Sequence, residues 1–173
     1  NSFFDHLGEK PRIRKIEGNN VLIFSGGLNG LEIYTDNAIF SKNKVSNSYS
    51  GGLYYSDNNL IENNTFENMS VDGLAFDNSN NNKIINNYFH DINYFNWEKG
   101  SYETQAISAN NSNNNTFIGN IIDDTQKSVD NKGFLKMVGS GIALYNSNNN
   151  YLEKNKMIAV HVWAFEFRNS NEN

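Results

Sequence analysis

A chain of 173 residues without cysteine can bury one sizeable core, but it can hold no disulfide, zinc–thiolate site or thiol nucleophile. Its net charge of −5 argues against bulk attraction to nucleic acid or an anionic membrane, and no apolar run approaches the roughly 20 residues of a membrane span. Hydrophobic residues at 38% and aromatics at 13% are too many for a disordered chain, although 35 residues are asparagine, a poor former of helices and strands.

Residues 1–19 fit no repeat and read as a cap, or as a loop leading into a first coil at Val21–Phe24. From Gly30 onward two elements alternate. The first is a small residue followed by alternating apolar ones: Gly30-Leu31-Glu32-Ile33, Gly52-Leu53-Tyr54-Tyr55, Gly73-Leu74-Ala75-Phe76, Ala106-Ile107-Ser108-Ala109, Gly141-Ile142-Ala143-Leu144 and Ala164-Phe165-Glu166-Phe167. The second is N-x-Φ-x-x-N-x-Φ, with Φ apolar. A weak copy, with Ala38 at the first Asn, holds Phe40, Asn43 and Val45; full copies start at Asn59, Asn82, Asn115 and Asn150. The steps Phe40–Ile61, Ile61–Ile84, Ile84–Phe117 and Phe117–Leu152 are 21, 23, 33 and 35 residues. Removing insertions of roughly ten to twelve residues from the last two restores a period near 22.

Short strands with period-2 alternation, repeating at that interval, predict an all-β solenoid: a single-stranded parallel β-helix of about six coils over residues 20–173. Leucine-rich repeats share the period but need an L-x-x-L-x-L spacing that is absent. The expected interior columns are Leu31, Leu53, Leu74, Ile107, Ile142 and Phe165 in one strand row, and Ile61, Ile84, Phe117 and Leu152 in another. Asn43, Asn64, Asn87, Asn120 and Asn155 are expected at sharp corners in left-handed geometry, their amides forming a ladder along the stack. The chain opens at Asn1 rather than Met, and Phe165–Asn171 starts a coil whose other strands are missing. More of the same chain, or another subunit, is therefore expected to cover the C-terminal end.

These coils resemble the right-handed parallel β-helix repeats of the pectate-lyase-like superfamily, over roughly residues 20–173. That resemblance is specific for fold and unspecific for chemistry. Its members include polysaccharide lyases, glycoside hydrolases, uronan epimerases, periplasmic copper-maturation proteins and phage tailspikes. It implies a polysaccharide or glycan partner and a secreted or cell-surface location, and it names no cofactor. A calcium ion is compatible with the resemblance, but no residue pattern indicates one.

Most corners are short, but 16 residues run from His90 to Gln105 and 18 from Asp123 to Ser140. Adjacent coils set these insertions side by side, and long paired loops are commonly functional. Tyr94, Trp97 and Tyr102 in the first suit stacking on sugar faces, with Glu103 beside them; Asp130 is a carboxylate of the second. One outward column of the Gly-Leu strands reads Glu32, Tyr54, Ala75, Ser108, Ala143, Glu166, and the next reads Tyr34, Ser56, Asp77, Asn110, Tyr145, Arg168. Small residues at 75, 108 and 143 predict a hollow rimmed by Asp77, Tyr145, Glu166 and Arg168, with His161 and Trp163 at one end.

Glycoside hydrolysis needs two carboxyl groups about 5 Å apart for retention or 6.5–9.5 Å for inversion. Asp77, Glu103, Asp130 and Glu166 are the candidates. A lyase or uronan epimerase would need a cation against the uronate and a base, for which Arg168 with Lys136, His161 or Tyr145 are available. The two insertions hold six acids against four lysines, which leans towards a hydrolase. Uniform Asn-rich coils also suit a third reading, a non-catalytic surface or glycan-binding scaffold.

Overall fold

The computed structural model describes residues 15–17, 20–22, 31–48, 50–69, 71–92, 104–123, 140–158, 160 and 163–173. They form three six-stranded sheets, every strand pair parallel, wound as successive coils of one parallel β-helix. Sheet A stacks β1 (Lys15–Glu17), β4 (Ile39–Ser41), β7 (Leu60–Glu62), β10 (Lys83–Ile85), β13 (Thr116–Ile118) and β16 (Tyr151–Glu153). Sheet B stacks β2 (Asn20–Leu22), β5 (Lys44–Ser46), β8 (Thr65–Met69), β11 (Tyr88–Ile92), β14 (Ile121–Asp123) and β17 (Lys156–Ile158). Sheet C stacks β3 (Leu31–Ile33), β6 (Gly51–Tyr54), β9 (Leu74–Asp77), β12 (Ile107–Asn110), β15 (Ile142–Tyr145) and β18 (Phe165–Arg168). The first coil begins earlier than the sequence suggested, because β1 already pairs with β4 inside the segment read as a cap.

Alternation fills the interior. Phe40, Ile61, Ile84, Phe117 and Leu152 stack in register in sheet A, and Val45, Phe66, Phe89, Ile122 and Met157 in sheet B. The Phe66 and Phe89 rings lie 4.9 Å apart and only 6° from parallel, so the stack itself supplies their packing. Gly73 shows why a small residue opens the strands of sheet C. A Cβ there would sit 2.5 Å from the Ala106 carbonyl oxygen and 2.7 Å from the Phe89 ring.

Sheet C corrects one expected column. Leu31 pairs with Gly51, and Gly51 with Leu74, so Leu53 stacks instead between Ile33 and Phe76. The Gly-Leu dipeptide at 52–53 mimics that at 30–31 but lies two residues further along the strand. Two outward columns move with it: Gly52, not Tyr54, neighbours Ala75, and Tyr54, not Ser56, neighbours Asp77. Ser56 is buried at the corner. Phe165 and Phe167 on β18 are exposed, no described strand stacking beyond them.

The corner asparagines form the expected ladder, shifted by one residue from the left-handed position. Lys42, Asn63, Asn86, Gly119 and Lys154 carry positive φ (53° to 64°), while the buried Asn43, Asn64, Asn87 and Asn120 and the half-buried Asn155 follow them. The tight turn lets the next side chain point inwards, where each amide bonds its neighbour. Asn64 donates its backbone N–H and its Nδ2 to Asn87 Oδ1 at 2.9 and 3.0 Å, and Asn87 does the same to Asn120 at 3.0 and 3.1 Å.

The other corner, between sheets C and A, carries three ladders. Asn59, Asn82, Asn115 and Asn150 each donate a backbone N–H to the Asn Oδ1 of the following coil at 2.8 Å. Buried serines 56, 79, 112 and 147 likewise bond the next serine's Oγ at 3.0–3.1 Å. A third row runs the opposite way: Asp57, Asn80, Asn113, Asn148 and Asn171 donate backbone N–H groups back to the Oδ1 of the preceding coil. Buried polar backbone is thereby paired from both sides.

Candidate functional site

Both long insertions leave sheet B and re-enter sheet C on adjacent coils, after β11 and β14. Tyr94, Trp97, Tyr102, Glu103, Asp130 and His161 lie outside the described residues. The remaining candidates, Asp77, Ser108, Tyr145, Trp163, Glu166 and Arg168, all stand on sheet C or the turn entering it.

Beside the outward column Glu32, Gly52, Ala75, Ser108, Ala143, Glu166 runs a third row along the entry turns. Backbone bonds from Gly73 to Gln105, Ala106 to Ser140 and Gly141 to Trp163 place Asp72, Gln105, Ser140 and Trp163 in equivalent positions. These side chains build a continuous polar network. The Asp72 carboxylate accepts the Gln105 backbone N–H at 3.0 Å and the Ser108 hydroxyl at 3.1 Å. Gln105 Nε2 makes a long 3.5 Å contact with the Tyr145 hydroxyl, which donates to Glu166 Oε2 at 3.0 Å. Ser140 Oγ also donates to Glu166 Oε2, and Arg168 pairs with Glu166 Oε1. The Arg168 guanidinium lies 5.5 Å from the Tyr145 ring centroid. Trp163 is exposed at the end of the row.

The two carboxyl groups are driven apart electrostatically. Burial pushes Asp72 up to about 6, against the hydrogen bonds from Gln105 and Ser108 that favour its anion. Burial also opposes charge on Glu166, but bonds from Ser140 and Tyr145 and the Arg168 charge outweigh it and hold the carboxyl below its ordinary range. Asp72 is tied to residues entering and on β12, and Glu166 to residues entering and on β15. Asp72 itself enters β9 and Glu166 stands on β18, three strand spacings apart, so each carboxyl reaches one coil towards the other.

The expected hollow is open only in part. Ala75 and Ser108 are half-buried on the outward face, but Ala143 is buried, so the floor closes towards β15. Asp77 stands three strands from β18, about 14 Å, and does not pair with Glu166 across one bond. Asp72 is the carboxylate that sequence reading passed over. It sits in a short corner, and only its register with Gln105 and Ser140 marks it.

A second polar cluster lies on the outward side of sheet B. Glu67 pairs with Lys44 and contacts His90 Nε2 at 2.9 Å, while His90 Nδ1 is 3.1 Å from Asp91. Tyr88 stacks on His90 with centroids 4.9 Å apart. Among the described residues, no group of three or more His, Asp or Glu side chains is placed to hold a metal ion.

Comparison with known proteins agrees with the coils. The family model described as "Right handed beta helix region" matches residues 12–157. The chain belongs to the right-handed β-helix family. No curated protein matches this β-helix chain. Among solved structures, the periplasmic alginate epimerase AlgG aligns with a TM-score of 0.48 and 17% identity, covering 88% of this β-helix chain and 39% of that one. The chain thus spans well under half of that protein's length.

Proposed function

We propose that the outward face of sheet C is the reactive face of a glycan-cleaving enzyme, a glycoside hydrolase acting on an extracellular polysaccharide. Asp72 is its general acid and Glu166 its partner carboxylate. One observation carries this reading: two carboxyl groups on one sheet face, bonded to adjacent coils, have their pKa values displaced in opposite directions. That separation lets one group hold a proton near neutrality while the other stays ionised. Their strands are three spacings apart, and each side chain reaches one coil inwards, Asp72 to Ser108 and Glu166 to Ser140, which brings the two carboxyls towards the wider separation that inverting cleavage uses. Ser108 and Gln105 orient the Asp72 carboxyl. Tyr145, Ser140 and Arg168 keep Glu166 anionic and fixed. Trp163, exposed along the same row, offers a ring to a neighbouring sugar.

Arg168 also favours a second reading, as lyase or uronan epimerase, because its guanidinium sits beside a phenol able to act as base. Its pairing with Glu166 weighs against this, since the cation is already neutralised. Reducing-sugar release and absorbance of unsaturated products, measured across a polysaccharide panel, separate the two. Release of reducing ends that disappears in Asp72→Asn and Glu166→Gln supports the hydrolase. Unsaturated products overturn it in favour of the lyase, and inertness across the panel returns the chain to a scaffold role.

A further inference from the structure

The outward face of sheet C carries a second feature towards its N-terminal coils, outside the carboxyl network. Gly52 occupies the floor column between Glu32 and Ala75, and a Cβ there would lie 2.5 Å from Tyr54 Cε2 and 2.7 Å from its Cζ and hydroxyl oxygen. The Tyr54 ring therefore leans back across Gly52 into the floor column. Tyr34, from the preceding coil, stacks on it with centroids 5.3 Å apart and planes 24° from parallel. That separation is close to the strand spacing, so the rings face one another along the stack. One face of Tyr54 is taken by Tyr34. The other looks towards β9, whose outward side chains are Ala75, a half-buried methyl, and Asp77.

We propose that Tyr54, backed by Tyr34, is a stacking subsite for a neutral pyranose ring seated over Ala75, so that the glycan runs along the solenoid axis towards Asp72 and Glu166. The inference rests on the reading of this face as a glycan site and names its substrate class. A flat aromatic face beside a hollow with only a methyl on its floor matches the apolar C–H face of a sugar. Asp77, in register with Tyr54 and bonded at 3.3 Å to Asn110 Nδ2, sits where it can accept sugar hydroxyls. Charge selects the sugar. Asp77 stands in register with Tyr54, so a uronate seated over Ala75 would meet the repulsion of that carboxylate. From β6 to β12, where the Asp72 carboxylate is tied, is two strand spacings, about 10 Å, within reach of a short oligosaccharide.

Calorimetric titration of the 173-residue chain with xylohexaose, cellohexaose, mannohexaose and hexagalacturonate tests this. The parent should bind at least one neutral hexasaccharide more tightly than hexagalacturonate. Tyr54→Ala should weaken that binding by about tenfold or more, and Tyr54→Phe by no more than about twofold, since the ring rather than the hydroxyl does the stacking. Ala75→Leu fills the space against an intact Tyr54 and should give the same loss even if Tyr54→Ala impairs folding. Asp72→Asn should bind as the parent does but release no reducing ends. Parent-like binding by Tyr54→Ala or Ala75→Leu overturns the subsite, while loss of turnover in Asp72→Asn leaves the catalytic reading standing. Preference for hexagalacturonate overturns the neutral-sugar assignment. Binding of none of the four by the parent overturns subsite and site alike.

Discussion

Asn87 Oδ1 accepts two hydrogen bonds from Asn64, one from its backbone N–H at 2.9 Å and one from its Nδ2 at 3.0 Å. In turn, Asn87 Nδ2 donates to the Ile61 carbonyl at 2.9 Å and to Asn120 at 3.1 Å. Asn87→Ala therefore strands a buried backbone donor and a buried carbonyl together. It should cost about 2–3 kcal/mol, read as a lowered midpoint in urea. Asn87→Asp keeps the acceptor but buries an anion beside the Ile61 carbonyl, and should be worse at neutral pH than at pH 4.

Tyr55 is 71% exposed and sits at φ 50°, where the equivalent corner residues of later coils are Asn78, Asn111, Asn146 and Asn169. Left-handed backbone costs a residue with a bulky side chain more than it costs Asn. Tyr55→Asn should stabilise the fold by about 0.5–1 kcal/mol, and a thermal melt shifted upward checks it.

Ile84 is fully buried between Ile61 and Phe117. Ile84→Asp places a carboxyl against aliphatic and aromatic side chains with no described cation in the column. It should destabilise by several kcal/mol, enough to cost soluble expression. Ile84→Val should cost only about 1 kcal/mol.

Asp72 and Glu67 pull stability in opposite directions with pH. Asp72 is raised to about 6, so the folded chain binds its proton more tightly than the unfolded one. Its contribution favours folding below the ordinary carboxylate range and fades as pH rises through about 6. Glu67 is lowered: burial opposes its charge, but Lys44 and then His90 overcome this. Its contribution is present above the ordinary carboxylate range and is lost as pH falls through the lowered value. Between pH 7 and 4, Asp72→Asn should remove the gain on acidification, and Glu67→Gln should soften the loss at the acid end. Activity of the parent should decline as pH rises past about 6, with deprotonation of the acid.

Much of the fold was legible because the coils repeat. The second-element copies fixed sheet A residue for residue, Phe40 to Leu152, since one apolar position recurs beside a ladder Asn in every coil. Sheet C was harder. Two glycines at 51–52 gave no side chain to align, and Gly52-Leu53 looked like Gly30-Leu31. The buried corner serines 56, 79, 112 and 147, with the half-buried Ser170 at the end of the row, carry the true register, because an Oγ in that ladder tolerates no slip. The site was half legible. Glu166, Tyr145 and Arg168 follow from outward alternation, whereas Asp72 matters through its neighbours in the next coil, which lie 33 and 36 residues away in sequence. The insertions were recognisable by length, and their side chains Tyr94, Trp97, Tyr102, Glu103 and Asp130 belong to segments that no repeat constrains.

The corner ladders have a bearing on how such a molecule changes size. Each coil offers its successor the same set of donors and acceptors that it took from its predecessor. Residues 60–82, one full turn from β7 to the start of β10, are therefore an interchangeable module. Copying them in tandem lengthens the rod by about 4.8 Å and leaves both junctions chemically unaltered. Because the sheet C face is carried on the same rungs, that one duplication would also move the Tyr54 ring one notch further from Glu166. A repeating backbone of this kind is a ruler, and its gene can reset the spacing between two points on the surface by counting turns.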